Sequence, residues 1–244
     1  RDEPNAWATP CVVQHQGQTQ VITAASNKIR SYNLDNGNII WQCGGLTGNV
    51  SPCPVTDGRS VYCMSGYEGY SLMALPLDAV GDVTNSETIR WKRNRGTPYV
   101  PSPLLYDGVL YFTQSNQGIL TSVEVATGDI GLERTRLSQV SKLYASPVGA
   151  AGRVYITGRN GKTLVIKNSN QFEVLATNPL DDEFNASPAL AGNQMFLRGR
   201  KFLYCLEDSS PKTEANKSET KTGEKTAVHR LQHNRRSTFD AFTY

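Results

Sequence analysis

The sequence predicts an all-β protein, a β-propeller of four-stranded antiparallel blades, and two observations support that fold class. A Ser/Thr-Pro phrase recurs at intervals of 42, 51, 44 and 41 residues, a period typical of one blade. Short apolar runs are separated by Asp-Gly, Asn-Gly and Thr-Gly pairs, which favour hairpin turns over helices. The five copies of the phrase begin at Thr9, Ser51, Ser102, Ser146 and Ser187.

Each copy of the phrase is expected to open one blade. We therefore expect no substantial helix before Asp208 and a partial fifth blade after Pro188. The four complete blades should have strands that start near Pro10, Pro52, Pro103 and Pro147. An aromatic residue recurs at an equivalent place in the second strand of four repeats, where it should be buried between blades. These residues are Tyr62, Tyr111, Tyr155 and Phe196.

The last repeat offers only two further strands, around residues 189–197 and 202–206, so its blade should lack the outer pair. The pattern favours the C-terminal portion of a larger propeller, or an open arc that needs a partner. The chain begins at Arg1 without a leader, which favours a fragment. We assign residues 1–208 to the propeller portion and residues 209–244 to a disordered, polar, basic tail.

The formal net charge of +3 comes from the tail. Up to Asp208 the chain has 18 basic and 18 acidic residues, so composition shows no basic stripe and predicts no binding to nucleic acid. No apolar run is long enough to cross a bilayer, and no transmembrane segment is expected.

The five cysteines form neither a Cys-x-x-Cys pair nor an adjacent pair, so the sequence indicates no zinc site and no redox motif. Cys53, Cys63 and Cys205 fall on predicted strands, where a thiol packs as a small apolar group. A disulfide between Cys43 and Cys53 stays open as an alternative, and the odd count leaves at least one thiol free.

Turns near the ends of two repeats carry a family resemblance. Segments 34–41 (Leu-Asp-Asn-Gly-Asn-Ile-Ile-Trp) and 125–129 (Val-Ala-Thr-Gly-Asp) resemble the Ala-x-Asp-x-x-Thr-Gly-x-x-x-Trp signature of PQQ-like propeller repeats. Such repeats build the quinoprotein dehydrogenases and the propeller lipoprotein of the bacterial outer-membrane β-barrel assembly machinery. The resemblance covers residues 7–208 and implies a ring of about seven or eight blades in a periplasmic or cell-envelope protein.

The signature has a physical rationale, and two repeats depart from it. Its Gly permits a tight turn, and Trp41 or Trp91 would cover the contact between neighbouring blades with a large aromatic face. Leu132 stands where the third repeat should have Trp, and residues 168–170 (Asn-Ser-Asn) replace the turn of the fourth. Those blades are expected to dock less uniformly.

The resemblance also raises an enzymatic alternative. Quinoprotein dehydrogenases hold their quinone between a Trp and a disulfide of adjacent cysteines, beside calcium and a catalytic Asp, and this chain has no adjacent cysteines. Its candidate acids sit in turns, where Asp is favoured by geometry alone, or in a run best read as a solvated loop. These acids are Asp57, Asp107, Asp129 and the run Asp181, Asp182 and Glu183.

Other catalytic readings also lack support. His15 falls in a predicted turn, and His229 and His233 fall in the tail. Residues 158–163 (Gly-Arg-Asn-Gly-Lys-Thr) resemble the end of a phosphate loop but join two strands, as a hairpin loop does. We therefore assign no catalytic, cofactor-binding or metal-binding residue.

What remains is a candidate binding face made of loops at one end of the blades. Aromatic and Arg side chains are typical of binding hot spots. The sequence favours a non-enzymatic scaffold that binds a protein or peptide ligand, or the missing N-terminal propeller portion. The alternative is the C-terminal part of a PQQ-dependent oxidoreductase whose active-site residues lie upstream. The candidate residues are Tyr67, Glu68, Tyr70, Tyr99, Tyr144, Arg159, Phe184, Asn185, Arg198 and Arg200.

Overall fold

The computed structural model describes residues 3–208 and the backbone of residues 226–230 and 237–238. These residues form strands, turns and loops, with no helix among them, as the sequence predicted. The described part of the chain therefore holds no helix that could cross a bilayer. The chain divides into two compact units, residues 1–138 with 169–171, and residues 139–168 with 172–244.

The first unit contains three sheets, each built on four antiparallel strands that follow the Ser/Thr-Pro phrase outward in chain order. The first blade comprises β1 (Cys11–His15), β2 (Gln18–Ala25), β3 (Lys28–Asn33) and β4 (Ile39–Gly44). The second comprises β5 (Val55–Thr56), β6 (Ser60–Ser65), β7 (Ser71–Pro76) and β9 (Trp91–Arg93). The short strand β8 (Gly81–Asp82) lies between β7 and β9 in the chain but belongs to the first sheet. The third comprises β10 (Leu104–Tyr106), β11 (Val109–Thr113), β12 (Ile119–Glu124) and β13 (Thr135–Arg136).

The second unit contains two further sheets. The fourth blade comprises β14 (Val148–Ala150), β15 (Arg153–Thr157), β16 (Lys162–Lys167) and β17 (Val174–Pro179). The fifth comprises β18 (Ala189–Ala191), β19 (Gln194–Arg198), β20 (Leu203–Asp208), β21 (Thr226–Arg230) and β22 (Ser237–Thr238). The expected all-β class of four-stranded blades, with strands that follow each Ser/Thr-Pro phrase, is confirmed.

The second blade shows why its strands are apolar at consecutive positions. Every residue of β6 and β7 is buried. Val61 and Cys63 pack against the first blade in a core that contains Trp41. Tyr62 and Met64, on the opposite face of β6, pack against the third blade. A sheet covered on both faces needs apolar side chains on both, so a polar/apolar alternation is absent.

The signature Trp of the second repeat spans two blades as expected. The Trp91 ring stacks on Tyr62 with centroids 5.7 Å apart, and its Nε1 donates a hydrogen bond to the Val125 carbonyl oxygen at 3.0 Å. A Cβ at Gly128 would come within 2.8 Å of the ring. Gly is therefore required at this turn for close contact as well as for its φ of +81°.

The insert of the second repeat forms an element that the sequence analysis did not predict. Strand β8 pairs in parallel with β4, the outer strand of the first blade. Its Asp82 carboxylate accepts a hydrogen bond from Gln42 Nε2 at 2.9 Å, and the Val83 N–H donates to the Gln42 carbonyl oxygen at 2.9 Å. The insert thus adds a fifth strand to a neighbouring blade.

The fifth blade corrects the expectation of two strands. The predicted strand over residues 189–197 is a hairpin of β18 and β19, because Gly192 adopts a φ of +60° and turns the chain. Strand β20 then pairs with β21, so an outer partner comes from residues 226–230. Strand β21 in turn pairs with β22. Residues 209–225, 231–236 and 239–244 of the expected disordered tail lie outside the described residues.

The recurring aromatic position is only partly as expected. Tyr62 and Tyr111 are buried, whereas Tyr155 and Phe196 are half-buried. Phe196 pairs with Cys205 on the sheet face opposite to Leu197 and Tyr204, which form the core of this blade. The assumption that every copy is enclosed is therefore wrong for the second unit.

All five cysteines are free thiols, so the alternative of a disulfide between Cys43 and Cys53 is not realised. Cys63 lies on β6 and Cys205 on β20, and both are buried as expected. Cys53 is half-buried in the segment before β5, not on a strand. Burial, with a smaller contribution from Asp82, raises the pKa of the Cys43 thiol to about 11.

Tyr111→Ala should lower the free energy of unfolding by about 3–5 kcal/mol, because it empties a fully enclosed site. Phe196→Ala should cost clearly less, since its side chain is only half-buried. Urea unfolding followed by circular dichroism measures both. Equal losses for the two variants would contradict this assignment of the two environments.

Candidate binding face

The first-unit candidates lie on two loops that hydrogen bonds join. Tyr67, Glu68 and Tyr70 lie between β6 and β7, and Tyr99 precedes the third Ser-Pro phrase. The Thr97 hydroxyl donates to the Ser65 carbonyl oxygen at 2.5 Å. A Cβ at Gly66 would come within 2.3 Å of the Pro98 carbonyl oxygen, so only Gly permits this approach. The two loops are thereby held side by side.

A third loop extends this support. The Ser115 N–H donates to the Thr97 carbonyl oxygen at 2.9 Å, and the Tyr99 N–H donates to the Ser115 carbonyl oxygen at 3.3 Å. Gln114 Nε2 donates to the Tyr70 hydroxyl at 3.3 Å. The segment that carries Tyr99 is therefore fixed between the loops of the second and third blades.

These contacts bring two of the predicted tyrosines together. The Tyr67 and Tyr99 rings lie 4.7 Å apart between centroids, at an angle of 34°. Tyr67 is 51% exposed, and Tyr70 and Tyr99 are half-buried. Glu68 is exposed, and its carboxylate lies so close to Gly48 that a Cβ on that residue would be 2.6 Å from Glu68 Oε2. We call Tyr67, Glu68, Tyr70 and Tyr99 the aromatic loop cluster.

The second-unit candidates form a different arrangement. The Arg159 guanidinium lies over the Tyr144 ring, 5.8 Å from its centroid, and Arg159 Nε lies 3.6 Å from Glu183 Oε2. Asn185, Arg198 and Arg200 are exposed. Arg198 donates through Nη1 to the carbonyl oxygens of its own hairpin, those of Gly199 and Phe202.

Phe184 is not part of a surface, and its place in the predicted face is wrong. Its side chain has no exposed area and packs with Leu197, Tyr204 and Leu206. Its ring centroid lies 5.7 Å from that of Tyr204. The acidic run before it suggested a solvated loop, but an antiparallel bridge to Gly199 draws Phe184 into the core of the fifth blade.

The middle residue of that acidic run also differs from expectation, because Asp182 is buried. Its carboxylate accepts hydrogen bonds from the N–H groups of Glu183, Lys201 and Phe202 and from the Tyr204 hydroxyl, at 2.8–3.2 Å. Burial raises the pKa of Asp182, but these hydrogen bonds favour the ionised form, and the net pKa is lowered. The carboxylate is occupied by protein donors and fixes the hairpin between β19 and β20.

The remaining acids in turns lie where the sequence placed them. Asp57, Asp107 and Asp129 lie in hairpin turns of the second and third blades. The Asp57 carboxylate accepts hydrogen bonds from the Ser60 N–H at 2.7 Å and the Tyr62 hydroxyl at 2.9 Å, a structural role. Among the described residues, no three His, Cys, Asp or Glu side chains are grouped so that they could hold a metal ion.

The other candidates for chemistry are likewise parts of the sheets. His15 is the last residue of β1 rather than part of a turn, and its Nδ1 lies 3.2 Å from the Gly58 carbonyl oxygen. Residues 158–161 form the hairpin loop between β15 and β16, as predicted. His229 belongs to β21, of which only the backbone is described, and His233 lies outside the described residues.

Repeated four-stranded antiparallel blades with Ser/Thr-Pro entries and a signature Trp define a PQQ-like β-propeller protein. The family model described as "Outer membrane protein assembly factor BamB" matches residues 3–131, more than half of the chain. The chain therefore belongs to this family. No curated protein matches it.

Two solved structures share the fold. BamB from Moraxella catarrhalis has a TM-score of 0.54 and 18% identity, with 90% of this chain and 66% of that chain covered. The computationally designed Ika8 protein has a TM-score of 0.59 and 12% identity, with 82% of this chain and 58% of that chain covered. The chain thus spans less than two thirds of the length of either protein's chain.

Asp182→Asn should lower the free energy of unfolding by about 2–3 kcal/mol near pH 7, because it removes a buried charged acceptor. The folded-state pKa is depressed, so this contribution is complete above about pH 4, the ordinary Asp value, and is lost as the pH falls through the folded-state pKa. Urea unfolding at about pH 7 and about pH 3 tests both statements. Asp181→Asn is the matched control, since its side chain is 94% exposed and should change stability by less than about 0.5 kcal/mol.

Proposed function

We propose that this chain is a non-enzymatic scaffold that binds a protein or peptide through the aromatic loop cluster. One observation carries the proposal: the Tyr67 and Tyr99 rings are in contact, and Tyr67 is still 51% exposed. Tyr is enriched at binding hot spots, because its ring offers a large contact area and its hydroxyl keeps a polar partner. Loops already joined by main-chain hydrogen bonds lose little freedom on binding.

The proposal includes a place of action, the periplasm or cell envelope of a bacterium. Its support is membership of a family described by an outer-membrane protein assembly factor. A propeller scaffold in that compartment would hold proteins together without acting on them chemically. Tyr144 and Arg159, with Asn185, Arg198 and Arg200, stay candidates for additional contacts in the second unit.

Peptides that bind the full chain can be selected from a displayed random library. Their affinity should fall about tenfold or more when Tyr67 and Tyr99 are both replaced by Ser, since hot-spot residues carry most of the binding energy. Fluorescence anisotropy with the selected peptides measures this loss. Phe172→Ser is the control, because Phe172 is also an exposed aromatic residue, at 37%, outside the cluster. Peptides that bind the wild-type chain and the Tyr double variant equally would overturn the proposal.

The scaffold proposal also has a chemical consequence. The chain alone should neither bind pyrroloquinoline quinone tightly nor oxidise alcohols with it, since it has no adjacent cysteines and its candidate acids Asp57 and Asp182 accept internal hydrogen bonds. Titration with quinone and calcium, followed by absorbance and by dye reduction, tests this. Stoichiometric binding with turnover would favour the oxidoreductase alternative instead.

A further inference from the structure

Six basic residues lie on, or within two residues of, the outer strands of the second and third blades. Composition predicted no basic stripe, because the chain up to Asp208 is neutral, but a third of its 18 basic residues lie in segments 87–95 and 133–136. The same segments hold only two acids, Glu87 and Glu133. We call the six residues the basic rim, and all except the half-buried Arg93 are exposed. They are Arg90, Lys92, Arg93, Arg95, Arg134 and Arg136.

One ion pair joins the two outer strands. It leaves most of the positive charge of the basic rim unbalanced by acidic residues of the same segments. Arg93 Nη2 lies 3.7 Å from Glu133 Oε1, which is an ion pair but longer than a hydrogen bond. Arg93 Nε is buried and has no hydrogen-bond partner. Because this atom is enclosed, the charge that a partner can reach at β9 lies mainly on Arg90 and Lys92, which are exposed.

The strands beneath the rim have open edges. In the described part of the chain, β9 pairs only with β7, and β13 pairs only with β12. Basic side chains on such edges discourage pairing with neutral or basic strands. They do not discourage an acidic strand, whose charges are complementary.

The first blade shows what such an edge accepts. Its outer strand β4 is paired with β8, an extended segment whose Asp82 accepts a hydrogen bond from Gln42 on β4. The chain thus fills one outer edge with an acid-bearing strand of its own. The corresponding edges of the second and third blades carry the unbalanced basic charge.

From this geometry we infer that the basic rim binds an extended acidic segment of a partner protein. The segment adds to the open edge of β9 through main-chain hydrogen bonds, and the carboxylates on one of its faces meet Arg90 and Lys92, which alternation places on the same face of the sheet. The open peptide edge selects a polypeptide over a lipid surface or a nucleic acid, which offer charge without a matching backbone. The basic rim and the aromatic loop cluster share no residue, so the inference does not depend on the scaffold proposal.

The test uses a fluorescent peptide of about ten residues that alternates Glu with Val and Thr, a strand-forming pattern. Anisotropy titration with the full chain at about 50 mM salt should show saturable binding. Replacing Glu by Gln should weaken affinity about tenfold or more, as should methylation of alternate peptide nitrogens, which keeps charge but blocks strand pairing.

Matched variants locate the site. The triple variant Arg90→Gln, Lys92→Gln, Arg134→Gln should lose about tenfold or more in affinity. The control triple Arg59→Gln, Lys142→Gln, Lys162→Gln removes the same charge from exposed positions elsewhere and should stay within about twofold of wild type. Thermal unfolding midpoints close to wild type for both variants establish that the loss is local.

Four outcomes would overturn the inference. They are no binding of the acidic peptide to the wild-type chain, equal affinity for the methylated peptide, full affinity in the rim variant, and a preference of the rim for another anion. The last is measured with phosphatidylglycerol vesicles and single-stranded DNA. Tighter, rim-dependent binding of either would mark a membrane or nucleic-acid surface.

Discussion

The structure of the first unit depends on one constraint, that a central blade must bury both faces of its sheet. In β6, neighbouring residues Val61 and Tyr62 belong to cores shared with different blades. Neither face can take charged side chains, and polar chemistry is displaced to turns, loops and outer edges. The aromatic loop cluster lies in the loops at the strand ends, and the basic rim lies on and beside the outermost strands.

The same constraint explains what the sequence could and could not predict. Repeat spacing and turn pairs were sufficient for the blades, because each blade is a local hairpin series. Strand β8 was missed because two residues, Gly81 and Asp82, carry no apolar signal and pair with a preceding blade. The β18–β19 hairpin was missed because its turn at Gly192 lies between short runs that read as one strand.

Site prediction failed where charge was taken as a sign of exposure. Asp182 and Phe184 follow an acidic residue in a polar stretch, yet both are buried, since the carboxylate meets N–H donors of the facing hairpin and the ring enters the core. The loop positions of Tyr67, Tyr70 and Tyr99 could be predicted because they follow from the repeat. The basic rim was missed because net charge averages over the whole chain, whereas the fold places segments 87–95 and 133–136 on outer strands that the ion pair of Arg93 and Glu133 joins.

The three Trp side chains occupy three different environments, and this gives the molecule a built-in optical reporter. Trp7 is 71% exposed, Trp41 is fully enclosed, and Trp91 is half-buried where the second blade meets the third. Emission from Trp91 depends on its contact with Gly128 and on its hydrogen bond to Val125, both in the third blade. A shift in that emission would register separation of these two blades before the enclosed core around Trp41 is exposed to water.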